Sequence, residues 1–502
     1  MAAPTRPPTT VRPRRSAGTR SPELDQGREE PGARSGAEGS GATLDRALML
    51  MMAMLGFLIG SQVIADNSFF THFATGNVIL SSGSVPTVDP YSFTAAGESW
   101  TVQSWLPSVV YRGLYELSGL WAVRIFNGIL AAALAAGLWR LSAPARSLLP
   151  RVGLCGVAVL IGPMMWSPRP LLVGLTCLLA VVMVVEHNKA AWWLLPTMWV
   201  WVNSHGSFPL AFAFIGAVGV GHWLDTRTLP RNEIRLFGWA AGGLALAAVN
   251  PVGPKLLYFP FQLLSRNEAL EDVSEWASPS FSRPSEWAFL VLLLALVVSA
   301  KLGAKWRHLL PALGFFVMGL LAVRNINPAA IVMVAGAAPA LALVPGTLDG
   351  QTRSFAARLM AATAVVVAIV AAVTVFASPA LDLDRYPVEE VDWLEERDLV
   401  ADPAVNLVHR EIAGNYLELR YGADANVFMD DRYDFFPLAV IDDHSALYFG
   451  GEFAEILDRH DADAVLWNNE GLFADWLRSG DFGWSVVFEG ENWIVALPSQ
   501  AS

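Results

Sequence analysis

Apolar runs recur through the middle of this chain at the length of bilayer-crossing helices, and nothing else in the sequence constrains the fold as much. A hydrocarbon core of roughly 30 Å is crossed by about 20 apolar residues in a helix. Read together with the placement of lysine and arginine, the runs give about eleven spans with the N-terminus in the cytoplasm. They lie near residues 47–65, 120–139, 152–167, 170–185, 190–204, 208–224, 236–250, 286–300, 308–323, 328–345 and 355–378. The loops assigned to the inner side hold Arg140, Arg146 and Arg151; Lys189; Arg227, Arg231 and Arg235; Lys301, Lys305 and Arg307; and Arg353. Only 16% of the residues are charged, where a soluble domain has about a quarter. The expected fold class is a polytopic α-helical membrane protein with an extracytoplasmic α/β domain at its C-terminus.

Three regions follow from this reading. Residues 1–43 are rich in Pro, Gly, Ser, Thr and Arg without apolar periodicity, which predicts a disordered arm. Arg12, Arg14, Arg15, Arg20 and Arg34, with Arg46 just beyond, would keep that arm cytoplasmic and make the first span an uncleaved signal-anchor. Residues 44–378 form the membrane domain, with a long outer loop over 66–118. In that loop Trp105, Leu106, Val109, Val110, Leu114 and Leu117 share one helical face, the pattern of an interfacial helix. Counting it as a span would put Arg140, Arg146 and Arg151 outside, which the charge rule rejects. Residues 379–502 carry 27 acidic against 7 basic side chains. So acidic a tail argues against a nucleic-acid partner, because phosphates need a basic surface.

The tail alternates strand-like pieces (405–408, 427–430, 464–467, 484–489, 493–497) with helix-like ones (411–421, 441–449, 453–460, 472–478), as an α/β unit does. It contains no glycine-rich phosphate fingerprint. Its Phe428-Met-Asp-Asp-Arg-Tyr-Asp stretch reads as a solvated, self-paired loop, and the tail is expected to fold without carrying catalysis. Cys155 and Cys177 both fall in apolar runs and read as buried thiols, with neither a disulfide framework nor a metal site implied. No His/Cys/Asp cluster has metal-ligand spacing. No cofactor is expected, with a divalent cation left open.

The polar residues that look out of place collect on one side. Asp66, His72, Asp89, Glu98, Arg169, Asn203, His205, Asn250, Glu275, Arg324 and Asn327 all map at or beyond the outer face. Ionisable groups at membrane depth are costly and usually mark a site, so these predict one polar cavity opening outward. Asp66, directly after the first span, would be a general base for an acceptor hydroxyl; the plain alternative is a helix-end residue. Asp89 heads Asp-Pro-Tyr-Ser and is either a turn carboxylate or a second catalytic one. Glu98 and Trp100 could contact a sugar, and His72 reads first as a hydrogen-bonded loop residue. Arg169 in Trp-Ser-Pro-Arg-Pro and Arg324 in Ala-Val-Arg-Asn-Ile-Asn-Pro stand at outer turns, with Asn325 and Asn327 beside the latter. Guanidinium pairs bidentately with phosphate, so the two would hold a lipid-phosphate donor; the alternative is ion pairing with Asp66, Asp89 or Glu275. Asn203-Ser-His-Gly and Asn250-Pro-Val-Gly are natural helix stops, with His205 able to act as donor or acceptor near neutral pH.

This pattern resembles the GT-C class of polytopic glycosyltransferases, and more narrowly a bacterial group related to the dolichyl-phosphate-mannose protein mannosyltransferases. The resemblance runs in order over roughly residues 45–500. It rests on Asp66, His72, Gly76, Pro86, Asp89-Pro-Tyr-Ser, Trp100 and Trp105-Leu, then Arg169-Pro, Asn203, His205-Gly, Asn250-Pro, Glu275-Trp and Arg324 with Pro328. The tail adds Gly414-Asn-Tyr-Leu and Val427-Phe-Met-Asp-Asp-Arg. The resemblance implies sugar transfer from a polyprenyl-phosphate donor on the outer face, with a loop acid as base. The family's first-loop acidic motif maps only onto Asp66, because the next residue is Asn67.

The expected activity is therefore an inverting transferase that moves a sugar from a polyprenyl-phosphate carrier to a glycan, lipid or protein acceptor, in the plasma (inner) membrane of a bacterium, bathed in membrane lipid. The alternative is a non-catalytic protein of the same fold that binds lipid-linked glycan or assists its assembly. A transporter is a weaker third, since no internal repeat or mid-span charge pair is evident.

Overall fold

Every run read as a span carries a helix, because an apolar segment satisfies its own backbone only by intra-segment hydrogen bonding. The structure is a computed structural model that describes residues 31–266, 269, 273–342, 350–480 and 482–499. The helices of the apolar region are α1 (Pro31–Gly60), α2 (Asn67–Ser82), α3 (Trp105–Ser118), α4 (Leu120–Leu141), α5 (Leu148–Ile161), α6 (Pro170–Glu186) and α7 (Leu194–Val202). They continue with α8 (Pro209–Thr226), α9 (Arg231–Leu246), α10 (Lys255–Ser265), α11 (Pro284–Lys301), α12 (Trp306–Leu321), α13 (Ile326–Leu341) and α14 (Gly350–Ala377). Among the described residues four stretches are long and apolar enough to cross a membrane: Thr43–Gly60, Leu120–Ala145, Pro284–Lys301 and Gln351–Ala377. Leu148–Met164, Pro170–Glu186 and Trp306–Leu321 are apolar and shorter. The chain is a membrane protein.

Helix α13 is buried along almost its whole length and forms the centre of the bundle. Small residues let the outer helices approach one another. A Cβ on Gly56 or Gly60 of α1 would run into α4 at Ala131 and Asn127. At the far ends of these helices the fully buried Arg124 donates to four carbonyl oxygens: Ser61 (3.0 Å), Thr374 (2.8 Å), Val375 (3.2 Å) and Pro379 (3.2 Å). One cation thus closes the carbonyl-rich ends of α1 and α14 together.

The outer loop is more ordered than its sequence indicates. It contains α2, where the sequence indicates loop, followed by α3 at the place expected for an interfacial helix. Asp66 caps α2 by accepting from the Ser68 backbone N–H at 3.1 Å, and Gly83 ends it in the left-handed region at φ 69°. At the other end of the chain, α1 begins at Pro31, inside the stretch expected to be disordered, while residues 1–30 lie outside the described residues.

The tail forms a mixed four-stranded sheet in the order β1–β2–β4–β3. Strand β1 (Leu407–His409) runs parallel to β2 (Ala464–Asn468), and β4 (Trp493–Pro498) is antiparallel to both β2 and β3 (Trp484–Glu489). Five helices complete it: α15 (Val388–Glu395), absent from the sequence reading, then α16 (Glu411–Tyr421), α17 (Leu438–Phe449), α18 (Phe453–Arg459) and α19 (Leu472–Ser479). Residues 427–430, expected as a fifth strand, do not join the sheet. Val427 bridges to the outer loop instead, accepting from Phe93 N at 3.1 Å and donating to Tyr91 O at 2.9 Å. The outer loop and the tail are therefore one packed body, with a shared core that includes Phe69, Phe70, Tyr91, Leu417 and Val427.

Candidate active site

A cavity of about 920 Å³ opens between this body and the turns at the adjoining end of the helix bundle. It is lined by α2 (Asn67, Ser68, Thr71, His72), the start of α6 (Arg169), the 205–207 turn and the 324–325 turn. Part of the lining is apolar, with Leu210, Phe259, Pro260, Leu263 and Met318; the part from the tail is mostly polar, with Arg410, Glu411, Asp431, Asp434 and His444.

The turns meet here because proline and asparagine stop their helices. Pro170 begins α6 and places Arg169 in extended backbone at its N-cap. From there Arg169 Nε donates to Asp66 Oδ2 and Nη1 to Glu275 Oε1. Asp66 Oδ2 also accepts from Ser167 Oγ at 2.9 Å. With Ser68 N, three donors therefore engage Asp66. Its side chain is 9% exposed, and it stands behind Arg169 rather than among the cavity-lining residues.

Arg324 does line the cavity. Its backbone N–H donates to Glu275 O at 3.1 Å and its guanidinium lies 4.4 Å over the ring of Trp276. Among the described residues no carboxylate forms an ion pair with it. Burial works against its charge, Glu275 partly offsets this, and Arg169 adds to it. Two arginines therefore share a desolvated wall.

Of the remaining expected residues, His72, Trp100 and His205 line the cavity. Burial pushes the His72 imidazole down to about 4, and burial with Arg324 nearby pushes His205 down to about 3. Both are neutral at physiological pH. His205 Nδ1 accepts from Ser207 N at 3.1 Å, which leaves the ring proton on Nε2. Asp89, Glu98 and Asn327 are not among the cavity-lining residues. Asp89 is buried, accepts from Ser92 N (2.9 Å) and Ser92 Oγ (2.5 Å), and pairs with Arg432 Nη1 at 2.7 Å, so it holds a turn. Glu98 is exposed. Asn327 is buried and donates to Ile161 O at 3.5 Å, while its neighbour Asn325 lines the cavity instead. Asn250 Oδ1 accepts from Val252 N and Gly253 N, both at 2.7 Å, as the helix-stop reading expects.

The Phe428–Asp434 stretch differs most from the solvated loop expected of it: Phe428, Met429, Asp430 and Arg432 are buried, and Asp431, Tyr433 and Asp434 are half-buried against the cavity. Arg432 binds Asp430 (Nε to Oδ1 2.9 Å, Nη2 to Oδ2 2.5 Å) and Asp89, approaches Glu418 at 3.7 Å, and lies over the rings of Trp100 (4.5 Å) and Phe435 (5.0 Å). Burial, with the neighbouring Asp430 charge, raises the Glu418 carboxyl well above its ordinary range. Burial also acts on Asp430, but Arg432 outweighs it and holds that carboxyl low. Next to this cluster Asp431 faces the cavity, bonded by Ser68 Oγ, by Asn415 Nδ2 at 2.7 Å and by Asn67 Nδ2 at 3.4 Å. Further along the wall, Glu411 pairs with His444 at 3.1 Å and with Arg410 at 3.2 Å.

Among the described residues there is no group of three or more His, Cys, Asp or Glu side chains placed to hold a metal ion. No protein-family profile and no characterised protein sequence matches this chain. Solved structures do. The Archaeoglobus fulgidus oligosaccharyltransferase in complex with zinc and sulfate matches with a TM-score of 0.50 and 12% identity, over 84% of this chain and 68% of that one. This chain has a GT-C-like fold. The apo form of the same oligosaccharyltransferase gives a TM-score of 0.49 and 13% identity over 86% of this chain and 69% of its own. ArnT from Cupriavidus metallidurans, bound to undecaprenyl phosphate, gives 0.47 and 13% over 93% and 99%. In this GT-C-like chain the cavity sits where the outer loop, the turns of the bundle and the tail converge.

Proposed function

We propose that this protein transfers a sugar from a polyprenyl-phosphate donor to an acceptor at the extracytoplasmic face of a bacterial plasma membrane, by a displacement that inverts the anomeric centre. The eleven-span topology, with the arm inside and the tail outside, is part of this proposal. The observation that carries it is the pair Arg324 and Arg169 on one desolvated cavity wall, with Arg324 lacking a carboxylate partner among the described residues. Neighbouring buried cations repel one another, and a phosphate between them would relieve that cost and accept paired hydrogen bonds. The apolar part of the lining at Phe259, Pro260 and Leu263 suits the hydrocarbon of the carrier. Asp66 and Glu275 then act by fixing the direction of Arg169, while Trp100 and the neutral His72 and His205 border the space left for the sugar.

The non-catalytic reading draws on one observation as well: Asp66 is engaged by three donors and set back from the cavity. Turnover separates the two. Membranes of a strain lacking the protein should accumulate a lipid-linked sugar, and adding the purified full-length protein should consume it and release polyprenyl phosphate. Arg324→Ala should weaken binding of undecaprenyl phosphate about 10–100-fold, the loss of charge-assisted hydrogen bonds worth roughly 1.5–3 kcal/mol. Binding without any consumption would leave the non-catalytic reading standing.

A further inference from the structure

Asp431, like Glu411 and Asp434, is a cavity-lining carboxylate that the transfer reading leaves without a role, and unlike Glu411 it is in no ion pair among the described residues. Its oxygens are held by neutral donors only: Asn415 Nδ2 on Oδ1 at 2.7 Å, and Ser68 Oγ and Asn67 Nδ2 on Oδ2. Among the described residues no cation forms an ion pair with it. Asp66, by contrast, is paired with Arg169. Asp66 does not line the cavity, whereas Asp431 does; the neutral donors on Asp431 favour its charged form, but burial and Asp430 work the other way and prevail. A carboxylate offers about four acceptor sites, so these three bonds leave room for an incoming hydroxyl. Ser68 joins the two acids, its backbone N–H on Asp66 and its Oγ on Asp431.

The fold fixes this placement from both sides. Gly414 in α16 abuts the Met429 carbonyl, where a Cβ would not fit, so Asn415 comes within reach of Asp431. Asn415 Nδ2 also reaches Thr71 Oγ1 at 2.7 Å, and Asn67 Nδ2 reaches Asn415 Oδ1 at 3.1 Å. The charges that act on Asp431 are Asp430 in its own segment, which raises it, and Arg169 at the head of α6, which lowers it; Arg432, the next residue, is turned onto Asp430 and Asp89, and Asp66 is reached through Ser68.

We propose that Asp431, delivered by the tail, takes the proton from the acceptor hydroxyl. This deepens the transfer reading and rests on it. As the acceptor oxygen forms its bond to the anomeric carbon, the bond from that carbon to the donor phosphate breaks. Polyprenyl phosphate leaves against Arg324 and Arg169, and the hydroxyl proton passes to a free lone pair of Asp431, then to solvent. Burial, reinforced by Asp430, pushes this carboxyl up to about 6. It is therefore mostly ionised at pH 7 and more basic than an ordinary aspartate, as a general base working near neutral pH should be. His72 and His205 are held at about 4 and about 3.

The test uses the full-length protein, undecaprenyl phosphate as binding probe, and lipid-linked sugar in membranes of the strain lacking the protein as substrate. Asp431→Asn should lower turnover by about 10²–10⁴-fold while leaving undecaprenyl phosphate binding and the unfolding temperature near wild type. The wild-type rate should fall as pH drops through about 6, because the base is then protonated. Turnover of Asp431→Asn within a few-fold of wild type overturns the proposal, and so does a loss that follows binding alone. If Asp431→Asn does not fold, Asp431→Glu decides. An acid limb displaced from the wild-type position supports the assignment and an unmoved one refutes it. A wild-type protein that consumes lipid-linked sugar alongside an active Asp431→Asn removes only this inference. A wild-type protein that neither binds nor consumes removes the transfer reading, and this proposal with it.

Discussion

Replacing Arg432 with methionine removes a buried charge, keeps much of the side-chain length, and asks what binds the outer loop to the tail. In the native protein its guanidinium contacts Asp89 of the loop at 2.7 Å and Asp430 of the tail at 2.5 Å, with Glu418 at 3.7 Å. The side chains of all three acids are fully buried. Removing one partner of a buried ion pair costs about 3–5 kcal/mol, because the charge left behind has no water to solvate it. Here Asp89 and Asp430 lose their partner at once, and the stack on Trp100 is lost as well. About 3–5 kcal/mol is therefore a lower bound, worth roughly two to four powers of ten in the loop–tail equilibrium. Thermal unfolding of the detergent-solubilised full chain, followed by tryptophan fluorescence, should show a lowered first transition, and trypsin should cut the tail sooner. The pH dependence has a definite sign. Arg432 holds Asp430 below the ordinary carboxylate range, so its stabilisation is complete above that range and is lost as pH falls through the native value. The gap between variant and wild type should therefore shrink in acid. A variant that melts with wild type at neutral pH, or a gap that widens in acid, would refute the reasoning.

Gly414→Val should separate α16 from the 427–431 segment, since a Cβ already collides with the Met429 carbonyl; lowered thermal stability together with lost turnover is expected, and an unchanged protein would mean that the close approach is not needed. For topology, single cysteines at Ser82 and Ser479 should react with a membrane-impermeant maleimide on intact cells, and one at Arg231 only after permeabilisation, following the lysine and arginine alternation. All three positions are exposed, while native Cys155 and Cys177 are buried and should stay silent. External labelling of Arg231→Cys would sink the eleven-span scheme.

What the sequence determined by itself was local. Apolar runs bounded by Pro, Gly and Asn specify helices wherever they occur, so all eleven runs carry one, and the 411–421 helix of the tail falls on α16. The same stop residues put Arg169, His205 and Arg324 at turns, and all three line one cavity, as the expectation of a single polar cavity had it. What tertiary structure decided was which carboxylates meet which cations. Asp66 and Arg169 are 103 residues apart, Asp89 and Arg432 are 343 apart, and Ser68 and Asp431 are 363 apart. Nothing in the local pattern of Met-Asp-Asp-Arg distinguishes a solvated loop from a buried one, because burial depends on the partner surface that the outer loop supplies. The 427–430 segment has the composition of a strand, yet Tyr91 and Phe93 take its backbone bonds before the sheet can. Helix α2 was hidden for a related reason: its polar Asn67, Ser68 and Thr71 look like loop residues until Asn415, Glu418 and Asp431 arrive to satisfy them. Propensity and hydropathy act over a few residues, whereas the solvation of a charge is set by whatever the whole chain folds against it.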